Sequence, residues 1–380
     1  MPPARPAPTG PALAALGLAS LAMLGACGAA DPGSPDLSGK NAGPGPTPGT
    51  PGDERPGPTP SSPGAPAVRS FSTEALGVRL QVRLLPGPED PAPAVEAAFA
   101  EARRLEALVN LWDPGSALSR WNARSRTLPA GPLALDPGLA ELLAPALAVS
   151  AASGGALDPT VAPVLRELGF YGDEATADLD ETARAGWRTR TGHGAVALEP
   201  DGATVRRDLP GMELDLSALA KGVAADRMAA LLRDGGVPSA LVSAGSSLVA
   251  FGPGPDGAGW PLELPHPDGP RTVQLRDEAA STSGASSITL EGRHAGRSHL
   301  LDPRTLAPVD HRTEMVVVRG PDGATCDLWS TALLVLGLDE LEAWWPGRPA
   351  AARGLAATVY ASSPGSAPQG GPPVVVELAP

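Results

Sequence analysis

The 380-residue chain has few aromatic side chains, 3% of its residues, and only two cysteines, Cys27 and Cys326. Two cysteines so differently placed build neither a disulfide framework nor a thiolate cluster, so any metal must be held mainly by oxygen. Cationic side chains are also in deficit: 29 Lys and Arg stand against 42 Asp and Glu, a net charge of −13. Neutralising a phosphate backbone takes clustered Lys and Arg, and no basic stripe is present, so nucleic acid is excluded as a partner. Several catalytic loops are missing as well. There is no G-x-S-x-G elbow, no Walker loop, no H-E-x-x-H and no G-x-G-x-x-G between a strand and a helix, and each absence removes a large enzyme class.

What the chain has in excess is Gly and Pro, 46 of each. Spread evenly, that load would suggest disorder, but Asp31 to Pro66 alone hold 11 Pro and 8 Gly in 36 positions. Such a segment buries too little surface to offset its ordering entropy and is expected to be a semi-extended tether. Before it, Leu13 to Leu24 is almost wholly Ala, Leu, Gly and Met and ends in Leu24-Gly25-Ala26-Cys27. A membrane helix needs ~20 apolar residues, so this shorter run fits an export signal instead. Leu-Gly-Ala-Cys is also what a bacterial lipoprotein signal looks like, with Cys27 as the lipidated residue; an ordinary secretory peptide is the alternative. The expected organisation is a signal over 1–26, a lipidated Cys27 and tether over 27–67, and one folded unit over 68–380. The expected address is the cell envelope, lipid-anchored on the periplasmic or extracytoplasmic face of a bacterial membrane.

In the folded part, Val78, Leu80, Val82 and Leu84 alternate with polar residues and predict a half-buried strand. Val95, Phe99, Ala102, Leu105, Leu108, Val109 and Trp112 recur at spacings of three and four and predict an amphipathic helix ending near Asp113-Pro114-Gly115. Leu139 to Leu147 reads as a second helix. Strands are expected at 195–198, 213–216, 241–251 and 315–318, and helices from about Ala218 to Gly235 and from Asp327 to Gly337. The irregular alternation predicts an α+β class, with helices packed on a mixed sheet, rather than a doubly wound fold.

Three places could hold chemistry. Asp215 to Gly222 runs from a strand end into a helix start, where free amides, the helix dipole and Lys221 would receive a phosphate; equally, Asp215 and Ser217 could be capping residues and Lys221 a solvated lysine. Asp327 and Thr331 stand four apart, so on a helix their oxygens share a face that suits a hard cation such as Mg2+; the alternative is a capped helix with an inward Thr. His299 and Asp302 could do acid/base work, or His299 could be a satisfied structural residue. Cys326 reads as a small buried hydrophobe.

The order of these blocks, from about Phe71 to Gly337, resembles one family, the ApbE-type FAD:protein FMN transferases, Mg2+-dependent enzymes that often occur as exported lipoproteins. The carriers are Leu111-Trp112 through Ser119-Arg120-Trp121-Asn122, Gly154-Gly155-Ala156-Leu157-Asp158-Pro159-Thr160, Asp215 to Gly222 with Asp226-Arg227, Thr282-Ser283-Gly284, His299 to Arg304, and Asp327 to Thr331. The resemblance implies cleavage of FAD and attachment of FMN through a phosphoester to a Thr of an acceptor protein, with release of AMP. It implies an FAD site lined by Leu76, Trp112, Ala156, Leu157, Asp158, Asp215, Lys221 and Leu301. It places Mg2+ on the Ala218 carbonyl, Asp327 and Thr331, and it leaves His299 to help activate the acceptor hydroxyl. Ser217, Ser246-Ser247, Ala285-Ser286 and Leu306-Ala307 depart from the family pattern, three of them where glycine is usual. A non-catalytic flavin-binding lipoprotein and an FAD pyrophosphatase giving FMN and AMP are the alternatives.

Overall fold

A computed structural model of the chain describes residues 67–171, 180–285, 298, 300–363 and 374–380. The expected signal, Cys27 and nearly all of the tether lie outside the described residues. The alternation noted at Val78 forms a hairpin: β1 (Arg69–Ala75) pairs with β2 (Val78–Leu85), and Phe71, Thr73 and Ala75 turn inward with Leu80, Val82 and Leu84. α1 (Ala92–Val109) buries Val95, Phe99, Ala102, Leu105 and Val109 along one stripe, as their spacing requires. α2 (Ala117–Thr127) follows with Ser116 as its cap, accepting from the Ser119 amide at 3.0 Å. Next come β3 (Gly131–Ala134), α3 (Pro137–Ala152), α4 (Ala162–Glu167), α5 (Glu181–Arg188), β4 (Val196–Leu198) and β5 (Thr204–Arg207). They lead to α6 (Ser217–Asp234), β6 (Ser239–Ala244), β7 (Ser247–Phe251), β8 (Trp260–Leu264), β9 (Arg271–Leu275) and β10 (Glu278–Gly284). The chain ends with β11 (Leu301–Asp302), β12 (Ala307–Pro308), β13 (Thr313–Gly320), α7 (Gly323–Trp344), β14 (Ala356–Ala361) and β15 (Val374–Leu378).

The main sheet has eight strands in the order β1-β2-β6-β7-β10-β13-β14-β15. Helices and sheet together are the α+β class the pattern predicts. The sheet itself is not mixed: among the described residues every pairing is antiparallel. Parallel neighbours need long same-sense crossovers, whereas β1 and β2, and β6 and β7, are joined by two-residue turns. Helices α1, α6 and α7 pack in layers over one face. The β8–β9 hairpin covers the other, where Trp260, Leu262, Leu264 and Leu275 join Leu241, Leu248, Ala250, Ala280 and Val317 in a separate apolar cluster.

Three expected elements differ. The apolar run from Leu241 to Phe251 is two strands, because Gly245 turns the chain at φ +60. Residues 213–216 lie outside any sheet. Their backbone bonds go to side chains and a loop: Leu214 exchanges two 2.8 Å bonds with the Asn122 amide, Met212 O accepts from Ser125 Oγ, and the Asp215 amide donates to Pro159 O at 2.7 Å. α2 thus satisfies groups that a sheet partner would otherwise have to satisfy. The last long helix begins at Gly323 rather than Asp327, with Asp322 as its cap, and breaks at Gly337, which takes φ +70 and ψ 160.

Candidate active site

Two glycines set the geometry. A Cβ on Gly222 of α6 would fall 2.2 Å from Gly323 O, and one on Gly323 of α7 would fall 2.6 Å from Gly222 O, so the two helix backbones touch. That approach lays the second turn of α7 against the second turn of α6. Asp327, 2% exposed, accepts from the Gly222 amide through Oδ2 at 3.0 Å, with Lys221 Nζ 3.9 Å from the same oxygen. Its Oδ1 accepts from Ser281 Oγ at 2.9 Å, and Ser281 Oγ lies 3.1 Å from Ser247 Oγ. One turn along α7, Thr331 Oγ1 donates to Asp327 O at 3.3 Å and lies 3.2 Å from Ser283 Oγ, which also meets Ser330 Oγ at 2.8 Å. Asp327 and Thr331 thus stand one turn apart on α7, with the Thr331 hydroxyl bonded to the Asp327 main-chain carbonyl rather than to its carboxylate. Lys221 is not a solvated lysine: its side chain is 27% exposed and faces Asp327.

Ala218 is the second residue of α6. A regular helix turns the Gly222 amide toward the carbonyl four residues back, so Asp327 Oδ2 and the Ala218 carbonyl converge on one N–H. Around this point Asp226 accepts from the Gly323 and Ala324 amides at 2.7 and 2.9 Å, and Asp322 from the Thr325 amide at 2.7 Å. These two carboxylates, not Asp327, satisfy the start of α7. Burial pushes Asp226 up to about 6; the two amides pull against it, and the Asp322 and Asp327 charges add to it. The Cys326 thiol, beside them, is pushed well above its usual range by burial and by the same acids, and it donates to Ala279 O at 3.6 Å, which fits a buried hydrophobe.

The second half of the site lies at the head of α6. Asp215 stands one residue before the cap position, Leu216, which carries no side-chain bond, and its carboxylate serves the first amide of the helix instead. Its Oδ1 accepts from the Ser217 amide at 2.7 Å and its Oδ2 from the Tyr171 hydroxyl at 2.7 Å. The Tyr171 ring packs edge-on against Trp112 at 5.5 Å and Phe170 at 5.3 Å. Trp112 is 56% exposed, and Tyr171 links it to the buried Asp215 carboxylate. In the glycine turn, Ala156 and Leu157 are buried, and Asp158 is already engaged: Oδ1 accepts from the Thr160 amide and hydroxyl at 2.8 and 2.6 Å, and Oδ2 from the His193 amide at 2.7 Å. His193 Nδ1 stands 3.5 Å from the same Oδ2; the Asp158 contact raises its pKa, and partial burial opposes the rise. Asp158 thus shapes the turn, and its carboxylate is spent on the protein.

Leu301 is buried in β11 and Leu76 sits at the tip of the β1–β2 hairpin at φ +56. His299 lies outside the described residues. Leu306, at a position where glycine was expected, takes φ +56, and its amide donates to Asp302 O at 2.7 Å, so the turn keeps a glycine-like conformation without the glycine. Tyr171, Ser281, Ser283, Asp226 and His193 were not singled out as site residues by the spacing of motifs. Ser281 and Ser283 had a signal: they share the inward face of β10 with Ala279, where alternation calls for apolar residues. Lys221 had another, since Lys40 and Lys221 are the only lysines in an otherwise Arg-based chain.

Among the described residues no three His, Cys, Asp or Glu side chains are grouped to hold a metal ion. A cation at Asp327 would take one carboxylate, the Thr331 hydroxyl and the Ala218 carbonyl, and would complete its shell with phosphate and water oxygens. That all-oxygen, carboxylate-poor set fits Mg2+, which keeps several waters and shares substrate phosphates.

The model of the ApbE family matches residues 76–355. The FAD:protein FMN transferase of Klebsiella pneumoniae (strain 342) is 30% identical over 280 residues, 71% of this chain and 79% of that protein. The FAD:protein FMN transferase of Treponema pallidum (strain Nichols) is 30% identical over 295 residues, 72% of this chain and 80% of that protein. The chain is similar in structure to the apo form of the Pseudomonas stutzeri flavinyl transferase ApbE, with TM-score 0.70 and 25% identity over 83% of this chain and 96% of that one. The ApbE protein of Thermotoga maritima shares the fold at TM-score 0.67 and 24% identity, over 77% of this chain and 94% of that one.

Proposed function

The chain belongs to the ApbE family, and from that premise we propose that it is an FAD:protein FMN transferase that holds FAD across the start of α6. The observation that carries this reading is that one helix start gathers Asp215 at its head and Lys221, Gly222 and Asp327 one turn on. At its head, Asp215 is bonded to Tyr171 and through that ring reaches the exposed Trp112. One turn on, Lys221 and Gly222 meet Asp327. An aromatic ring stacked on Trp112 would place the attached diphosphate toward the helix N-terminus and the Lys221 ammonium.

In the transfer, the hydroxyl oxygen of an acceptor Thr attacks the FMN phosphorus, the bond from that phosphorus to the bridging oxygen breaks, and AMP leaves with that oxygen. The hydroxyl proton passes to a base, for which His299 is the candidate the sequence offers. Lys221 and the α6 amides lie where charge grows on the diphosphate, and Ser281 and the Gly222 amide keep the Asp327 carboxylate aimed. The Ala218 carbonyl, Asp327 and Thr331 would hold an Mg2+ ion, which would supply charge stabilisation for the diphosphate. The Leu-Gly-Ala-Cys27 signal and the Pro/Gly-rich tether support a lipid-anchored enzyme of the cell envelope. Among the described residues no helix is long and apolar enough to cross a membrane.

The test is incubation of the chain with FAD, Mg2+ and a Thr-bearing acceptor protein, followed by mass spectrometry of the acceptor and chromatography of nucleotides. FMN mass on the acceptor with AMP in solution is the expected result. AMP and free FMN without acceptor modification would mean a pyrophosphatase, and neither product would mean a non-catalytic flavin binder.

A further inference from the structure

Two residues that the resemblance assigns to the FAD site, Trp112 and Asp215, are 103 positions apart, and one unassigned residue touches both. Tyr171 is 7% exposed and follows α4. Its ring meets Trp112 at 5.5 Å and 80° and Phe170 at 5.3 Å and 68°, with the Arg166 guanidinium 5.4 Å from the ring centre. Its hydroxyl spends its one proton on Asp215 Oδ2 at 2.7 Å, while the Ser217 amide donates to Oδ1 at 2.7 Å. Burial, followed by the Asp215 charge, holds the phenol well above its usual range, so it remains a donor at any working pH.

We propose that Tyr171 is a positioning residue for the ligand: it sets the angle of the exposed Trp112 ring and orients Asp215 as an acceptor for an N–H group on a stacked heteroaromatic ring. The argument rests on the reading above that Trp112 and Asp215 line the FAD site. A carboxylate has about four lone-pair positions. With one donor fixed on each oxygen, the remaining positions are aimed and open to a donor on the ligand. A ring that presents a methylated nitrogen there loses the bond and leaves a buried acceptor unpaired. Phe in place of Tyr171 keeps the edge-on packing and removes the orienting proton; Leu removes both.

The experiment titrates the full chain with FAD by quenching of flavin fluorescence, alongside two analogues, one methylated on the flavin imide nitrogen and one dimethylated on the adenine amine. Thermal unfolding without ligand checks the fold of each variant. The wild-type chain is expected to bind one analogue about tenfold more weakly than FAD. Tyr171→Phe is expected to bind FAD about tenfold more weakly while losing that discrimination, with the quenching at saturation preserved. Tyr171→Leu is expected to lose the quenching as well. Wild-type binding of FAD and of both analogues with equal affinity overturns the proposal without any variant, and so does a Tyr171→Phe chain with wild-type affinity and discrimination. A wild-type chain that quenches no flavin fluorescence overturns the reading of the site itself, and this proposal with it.

Discussion

Under the β8–β9 hairpin the main sheet presents Leu241, Leu248, Ala250, Ala280 and Val317, and Trp260 fills the space between them. Under α6 and α7 the same strands present Val242, Val249, Ala279 and Val316, but Ser247, Ser281 and Ser283 break that apolar surface. Both faces are buried, so burial does not distinguish them. A buried hydroxyl costs free energy unless it is bonded, and an apolar residue would pack as well or better. Of these three hydroxyls, two are linked to the carboxylate of Asp327 and the third to Thr331. On the hairpin face the buried Ser239 hydroxyl serves the Trp260 indole, whereas on the helix face three hydroxyls serve one carboxylate and its neighbour on α7.

The strongest way to break that contrast is on the apolar face. Trp260 is fully buried and its Nε1 donates to Ser239 Oγ at 3.1 Å. Trp260→Ala is expected to lower the unfolding free energy by about 3–5 kcal/mol in a urea titration. FMN transfer per folded molecule should be unchanged, and a matching loss of specific activity would show that the hairpin face also serves the site. Asp327→Ala should give the opposite profile. Transfer is expected to fall by about 10²–10³, while the loss of stability stays below that of Trp260→Ala. Ser281→Ala sharpens the contrast at lower amplitude. A hydrogen bond to a charged group is worth roughly 1.5–3 kcal/mol, so transfer should drop by about tenfold and the Mg2+ concentration giving half-maximal rate should rise. The neighbouring Ala280→Ser, which puts a hydroxyl into the hairpin cluster, should cost stability by about 1–3 kcal/mol and leave transfer alone.

These partners show where reading the chain succeeds. That Asp327 and Thr331 share one helix was legible because they stand four apart on one short apolar-periodic stretch. The α1 stripe and the β2 alternation were legible for the same reason. Tyr171 was not: its partner Asp215 is 44 positions away, and only the tertiary fold joins them. Residues 213–216 look like a strand because their side chains are mostly buried, yet their hydrogen bonds go to Asn122, Ser125 and Pro159, which no local pattern reveals. Asp226 entered only as part of the motif that carries the resemblance, with no role, until the Gly222–Gly323 contact brought the start of α7 onto it.

Asp226 supplies the smallest and most selective test, because the two faces also differ in what titrates near neutrality. On the hairpin side the buried Tyr360 is pushed up to about 12 by burial, far outside that range. Asp226 is raised from 3.8 to about 6, chiefly by burial. The folded chain therefore holds this proton more tightly than the unfolded chain does. Its contribution to stability is full below the unfolded value and is lost as pH rises through about 6. Asp226→Asn keeps an oxygen for one of the two α7 amides and cannot titrate; turning an NH2 toward the other amide adds a cost that does not vary with pH. The difference in unfolding free energy, wild type minus Asp226→Asn, should fall by roughly 1–2 kcal/mol between about pH 4 and 7, after discounting for partial exposure, and level off above that. A flat difference would mean that the α7 amides hold Asp226 ionised throughout. The burial imposed by the helix crossing would then carry no electrostatic cost, and the two faces would differ in hydroxyls alone.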